Sequence, residues 1–170
     1  EIIGENKYVG GIIGANYGNI EKSENKGKVT GKGERVGGIS GEAGSSTTIK
    51  ECKNSGEIVG KNQLVGGIIG VNFGNIEKSE NSGKVTGKSQ RVGGIAGFSN
   101  TSTTIKECKN SGEIVGENRI VGGISGQIQG NIEKSENSGK VTGKGERVGG
   151  ISGETQPSTT IKECKNSGEI

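Results

Sequence analysis

The triplet Val-Gly-Gly starts at residues 9, 36, 65, 92, 121 and 148, so successive copies lie 27, 29, 27, 29 and 27 residues apart. A chain held to so fixed a period builds one small unit and stacks it, because a single unit cannot bury its apolar face alone. The full period is 56, and its two extra residues enter at one place: eleven positions separate Val9 from Ile20, whereas thirteen separate Val36 from Ile49. Units of roughly 1–56, 57–112 and 113–168 follow, inside a single repeat domain covering 1–170.

Aligned on this period, the half-repeats give apolar columns that hardly vary. They are headed by Val9, Ile12, Ile20 and Val29 and continue as Val36, Ile39, Ile49 and Ile58, and so on along the chain. Nearly all of these residues are β-branched, which favours strand over helix, and no segment carries the 3.6-residue helical period. Strands this short, separated by Gly and by Asn-Ser-Gly or Asn-Lys-Gly turns, point to an all-β chain: a parallel β-solenoid, or β-helix, of about six coils of 27 or 29 residues. At ~4.8 Å per coil the rod would be on the order of 29 Å long.

Composition agrees with a stack better than with a globule. Apolar residues make up 26% of the chain, with 36 Gly, two Phe, two Tyr and no Trp, Met or His, whereas a compact core draws on roughly 45–50% apolar residues. Fixed apolar columns argue against disorder. Lys plus Arg number 22 and the acidic residues 19, with no basic block longer than two, so a nucleic-acid partner is not expected. No apolar run approaches the ~20 residues needed to cross a bilayer, so membrane insertion is not expected either. Glu1-Ile2 has the same phase as Glu57-Ile58 and Glu169-Ile170; the chain reads as an excerpt of a longer array whose neighbouring repeats would be its first partners, with head-to-tail self-association a variant of the same contact.

Charge explains why the period is 56 rather than 28. Glu21, Lys50, Glu77, Lys106, Glu133 and Lys162 alternate in sign at one position, and the columns headed by Lys22, Glu24 and Lys28 alternate likewise. In a parallel stack each residue lies over its counterpart, so alternation replaces repulsion with pairs that contribute about 0.2–1 kcal/mol and disfavours a slip of one coil.

Two polar columns read as structural ladders. Asn25, Asn54, Asn81, Asn110, Asn137 and Asn166 each precede a Gly by two residues. Asn tolerates the left-handed turn conformation, and stacked amides can bond from coil to coil. Cys52, Cys108 and Cys164 share a column with Ser23, Ser79 and Ser135. Two coils, or roughly 9.6 Å, would separate neighbouring Cys, too far for a disulfide, so these thiols are expected free and buried. Without His or converging thiolates no metal site is expected, and a nucleophilic Cys has no base. The glycines lack the Lys-Ser or Lys-Thr of a phosphate loop, and the Glu residues sit among Lys neighbours, so catalysis and cofactors are not expected.

Differences between the three units gather in the loops Glu42 to Thr48, Phe98 to Thr104 and Glu154 to Thr160, and at Tyr17, Phe73 and Gln129. Tyr17, Phe73, Gln129, Phe98, Asn100 and Gln156 are therefore the candidate binding residues. Asn100-Thr101-Ser102 has the form of a glycosylation triplet but occurs in one loop of three, and is read as chance. Thr47-Thr48 and its copies raise an ice-binding array, which recurrence only at every second coil and the charged surface argue against.

Gly11-Ile12-Ile13-Gly14, Gly38-Ile39-Ser40-Gly41, Gly67-Ile68-Ile69-Gly70, Gly94-Ile95-Ala96-Gly97, Gly123-Ile124-Ser125-Gly126 and Gly150-Ile151-Ser152-Gly153 resemble the GLUG motif, a Gly-Leu-any-Gly repeat, with Ile in the place of Leu throughout. The Gly-Asn-Ile-x-x-Ser-x-Asn and Thr-Ile-x-x-Cys-x-Asn stretches that follow look like the same repeat, so the likeness covers nearly the whole chain. The resemblance implies a module of large bacterial surface and secreted proteins, including some IgA-peptidase-type metallopeptidases and adhesins, although no zinc-protease motif is present here. The expectation is a non-catalytic extracellular spacer or stalk; the alternative is an adhesive module that takes a host glycan or protein on its variable loops.

Overall fold

A computed structural model describes residues 1–88, 90–117 and 119–170. Among these residues every regular element is a strand. The first coil sets the pattern: β1 (Ile2–Gly4), β2 (Tyr8–Gly10), β3 (Ile13–Asn16), β4 (Ile20–Glu21) and β5 (Glu24–Asn25). Five later coils repeat it, and each coil contributes one strand to each of five six-stranded sheets, here A to E after β1 to β5. The chain is a parallel β-solenoid.

Register follows the sequence columns. Val9 lies beside Val36, Ile20 beside Ile49, Asn25 beside Asn54, and Glu21 beside Lys50. The strands of an interior coil thereby pair with a coil on each side, which gives their backbone groups partners without helical hydrogen bonds.

The apolar columns do not share one core. Val9, Val29, Val36, Ile58 and their equivalents form one cluster under sheets A and B, whereas the Ile12, Ile20 and Cys52 columns form a second under sheets C, D and E. The chain crosses between the lobes at Val-Gly-Gly, and it crosses back past the Asn25 column. These crossings touch: a Cβ on Gly38 would lie 2.5 Å from the Asn54 amide carbon, and one on Gly67 would lie 2.4 Å from that of Asn81. Only Gly lets the waist close on its amides, which is what the second glycine of each triplet is for. At the ends, where one side of a coil is uncovered, the same columns are exposed: Ile12 is 48% and Ile161 42% accessible, against 0% for Ile39 and Ile105.

Asn25 and its copies are not the left-handed residues of the coil. They close two-residue strands, and positive φ falls instead on Lys22, Glu51, Lys78, Glu107, Lys134 and Glu163, at 47–54°. The corner between sheets D and E is two residues long, and the ladder fixes its backbone. Lys22 N donates to Lys50 O and Glu51 N to Glu77 O, each at 3.0 Å. These bonds hold a conformation that costs an L-residue about 1–2 kcal/mol.

Candidate functional site

The Asn column is a continuous amide ladder along the waist. Asn25 Nδ2 donates to Asn54 Oδ1 at 2.7 Å, and the chain of bonds continues through Asn81, Asn110, Asn137 and Asn166 at 2.7–2.8 Å. The second hydrogen of each amide goes to the carbonyl of the Gly two residues on, as from Asn54 to Gly56 O at 2.9 Å. Both donors of every interior amide are thus used inside the protein, which leaves none to offer a ligand.

The thiols are equally inward. Cys52 Sγ lies 3.3 Å from Lys50 O and 3.5 Å from Ile20 O, and Cys108 is placed alike. Ser79 and Ser135 occupy the alternate coils and accept from the amides of Cys52 and Cys108 at 3.2 and 3.1 Å. Burial raises the Cys52 thiol and pushes Cys108 up to about 12, so neither forms a thiolate nucleophile near neutral pH. All three Cys are free; Cys52 and Cys108 are buried, and Cys164, in the sixth coil, is half-buried. Among the described residues no three His, Cys, Asp or Glu side chains converge on a point.

Of the six variable residues, five fall into one stack just beyond sheet C. The amides of Gly44, Phe73, Asn100 and Gln129 each bond the preceding coil, to Asn16 O, Ala43 O, Asn72 O and Ser99 O. Tyr17, Gly44, Phe73, Asn100, Gln129 and Gln156 therefore succeed one another along one edge of the rod. Tyr17 is 76% exposed and a Cβ on Gly44 would meet its ring at 3.2 Å; Phe73, Asn100, Gln129 and Gln156 are half-buried. Thr47 and Thr103 turn inward below this stack, 3% and 1% exposed, donating to Gly44 O and Asn100 O at 2.7 Å. They are turn-closing residues, not surface ones.

Phe98 is elsewhere. It lies in the strand Ala96–Ser99 of sheet C and faces Arg91, whose guanidinium carbon is 5.4 Å from its ring centre. The two belong to an outer seam that the sequence reading missed. Its sheet B side is Tyr8, Arg35, Leu64, Arg91, Ile120 and Arg147 in register. Its sheet C side is Ala15, Glu42, Val71, Phe98, Gln127 and Glu154. The signal was available: Arg35, Arg91 and Arg147 recur at the 56-residue period, each just before a Val-Gly-Gly.

The charged columns line the outside of sheets D and E and the corners beside them. Lys28 meets Glu57 at 2.9 Å, Lys84 meets Glu113 at 2.8 Å and Lys140 meets Glu169 at 3.0 Å. Hydrogen bonds from Lys28 to Glu57 and from Lys84 to Glu113 hold both ammonium groups above their ordinary pKa. Lys78–Glu107 and Lys53–Glu80 are looser, at 4.0 and 3.6 Å. Along the Glu21 column the signs alternate without an ion pair forming among the described residues, so there alternation removes repulsion only. A hollow of about 170 Å³ is lined by Glu77, Lys78, Lys106 and Glu107, and one of about 210 Å³ includes Glu80, Lys109 and Glu136. Both are surface recesses between charged side chains of mixed sign, without the convergent groups that bond-breaking chemistry needs.

The GLUG motif matches residues 5–30 and 61–86. The two segments are 56 residues apart, and each runs from the turn before sheet B, through one odd-numbered coil, into the next strand of sheet A. The chain thus carries a GLUG repeat region. The corresponding stretch of the third unit differs from both in having Gln127-Ile128-Gln129 where they have Ala15-Asn16-Tyr17 and Val71-Asn72-Phe73. No curated protein and no solved structure matches the chain.

Proposed function

We propose that this chain is a length of stalk in an extracellular bacterial surface protein, holding a binding or catalytic domain away from the cell. The observation that carries this reading is the unbroken register of all five sheets through six coils. Every ladder is continuous, so tension or bending along the axis is shared by many backbone bonds, and length grows with each added repeat without a new kind of contact. The bacterial surface setting comes from the proteins in which GLUG repeats are expected. The stalk role can be tested with arrays of three, six and nine 56-residue units: solution scattering is expected to give a maximum dimension rising by ~9.6 Å per unit, and a flexible-chain dependence on length would refute it. Surface labelling of intact producing cells tests the location.

A second reading, an adhesive module for a host glycan or protein, is favoured by one feature, the alignment of Tyr17, Phe73, Asn100, Gln129 and Gln156 on a single edge. Saturable binding of the chain to glycan arrays or host matrix, lost when Tyr17, Phe73, Asn100, Gln129 and Gln156 are exchanged for Ser, would favour adhesion over the pure stalk.

A further inference from the structure

Between sheets A and B each coil turns a short corner, and ladder bonds keep the corners in register: Lys61 N donates to Gly31 O, Lys88 N to Gly60 O and Arg91 N to Gln63 O, each at 3.0 Å. In four of the six corners the charge cancels over three residues, as Glu5 with Lys7, Lys32 with Glu34, Glu117 with Arg119 and Lys144 with Glu146. The third and fourth coils break this pattern. They keep Lys61 and Lys88 but carry Gln63 and Gln90 where the second coil has its acid. Lys32, Lys61 and Lys88 therefore stack in consecutive coils, and Lys61 is the one charged residue of the chain with a like charge in both neighbouring coils.

Like charges stacked at the ~4.8 Å spacing of strands repel, and the nearby acids are committed elsewhere. Lys32 pairs with Glu5, and Glu57, four residues before Lys61, is held by Lys28 at 2.9 Å. Lys61 has no ion pair among the described residues. Lys61, Gln63, Lys88 and Gln90 are all exposed. A chain that alternates charge in four other columns accepts repulsion at this one, and an anion laid across the corners turns that repulsion into attraction.

We infer that this corner binds a linear carboxylated polysaccharide, which lies along the rod axis with successive carboxylates on Lys61 and Lys88. A 1,4-linked polyuronate repeats its carboxylate once per sugar, at a step close to the spacing of the coils. Gln63 and Gln90 each offer an amide donor and acceptor to the sugar hydroxyls. A single-stranded nucleic acid fits less well, because no aromatic residue stands in the corners of these two coils to stack on its bases. Each exposed charge pair is weak alone, so affinity rises with the number of sugars engaged. The surface uses none of the residues of the Tyr17 edge, so its failure leaves the stalk and the adhesive reading as they stand.

The test is a titration of the 15N-labelled chain with oligogalacturonate in about 0.1 M salt, following backbone amide signals. The fully methyl-esterified oligomer and a single-stranded thymidine oligonucleotide are the comparison ligands. Saturable shifts at Lys61, Gln63, Lys88 and Gln90 are expected with oligogalacturonate, absent with the ester and weakened by added salt. Gln63→Glu with Gln90→Glu restores the cancellation of the second coil and is expected to weaken binding at least ~10-fold. Ser55→Glu with Ser111→Glu adds the same charge outside the corner and is expected to leave binding nearly unchanged. All four positions are exposed, and Glu34 already fills the place of Gln63 and Gln90 one coil away, so folding is retained. The proposal is overturned by the absence of a saturable shift, by an equal shift with the ester, or by undiminished binding of the Gln63→Glu, Gln90→Glu variant. An equal loss in the Ser55→Glu, Ser111→Glu variant overturns it too, as does equal or tighter binding of the oligonucleotide, because net charge alone would then account for binding.

Discussion

The Asn25 column and the Tyr8 column both run the length of the rod, one through its waist and the other along its outer seam. The first is the same residue in all six coils, each amide bonded to the next. The second changes at every step, from Tyr8 to Arg35, Leu64, Arg91, Ile120 and Arg147. Their surroundings explain the contrast. At the waist an amide meets backbone and two identical neighbours, and any other side chain would leave those neighbours with unmet bonds. On the seam each residue meets mainly the one across from it, so a coil can change its pair without disturbing the ladder. Constancy between coils here marks what the stack requires, and variation marks where one coil can acquire chemistry of its own.

Substitutions that strike the two columns separately should respond unequally. Gly67→Ala puts a Cβ 2.2 Å from Gly94 O and 2.4 Å from the Asn81 amide carbon; backbone cannot yield there, and chemical denaturation is expected to show a loss of about 3 kcal/mol. Asn81→Ala strands the Asn54 donor and the Asn110 acceptor that it now satisfies, for an expected loss of about 2 kcal/mol. At the corner that delivers the Asn to the waist, Lys78→Gly relieves a φ of 47°. Against the larger chain entropy of Gly, a net gain of about 0.5 kcal/mol is expected in the same assay. Arg91→Leu on the seam should change stability least, by no more than about 0.5 kcal/mol either way. An Asn81→Ala loss no larger than that of Arg91→Leu would erase the distinction between the columns.

The coils, their register and the stacking of Ile on Ile and Asn on Asn were legible in the spacing of Val-Gly-Gly, because a stack makes sequence period and spatial neighbour the same thing. The left-handed corner was not. Side-chain preference points to Asn25, whereas the ladder bond from Lys22 N to Lys50 O decides the backbone there. Nor was the division into two lobes, since the columns headed by Val9 and Ile12 look like one hydrophobic set until the second Gly of the pair between them is seen to meet the amides. Among the candidate binding residues, Tyr17, Phe73, Asn100, Gln129 and Gln156 share an edge because they share a phase. Phe98 shares their variability but not their phase, and it faces Arg91 instead.

Stacking of equivalent residues at strand spacing is the claim on which the stalk reading depends. It is measured most directly by pulsed electron resonance between spin labels at Ser46→Cys and Ser158→Cys, exposed loop tips four coils apart. Cys52, Cys108 and Cys164 are replaced in this variant by the Ser that already occupies alternate coils. A narrow distribution consistent with label positions ~19 Å apart along the axis is expected. A broad distribution centred well beyond ~30 Å, as for a chain whose units do not stack, would contradict the account.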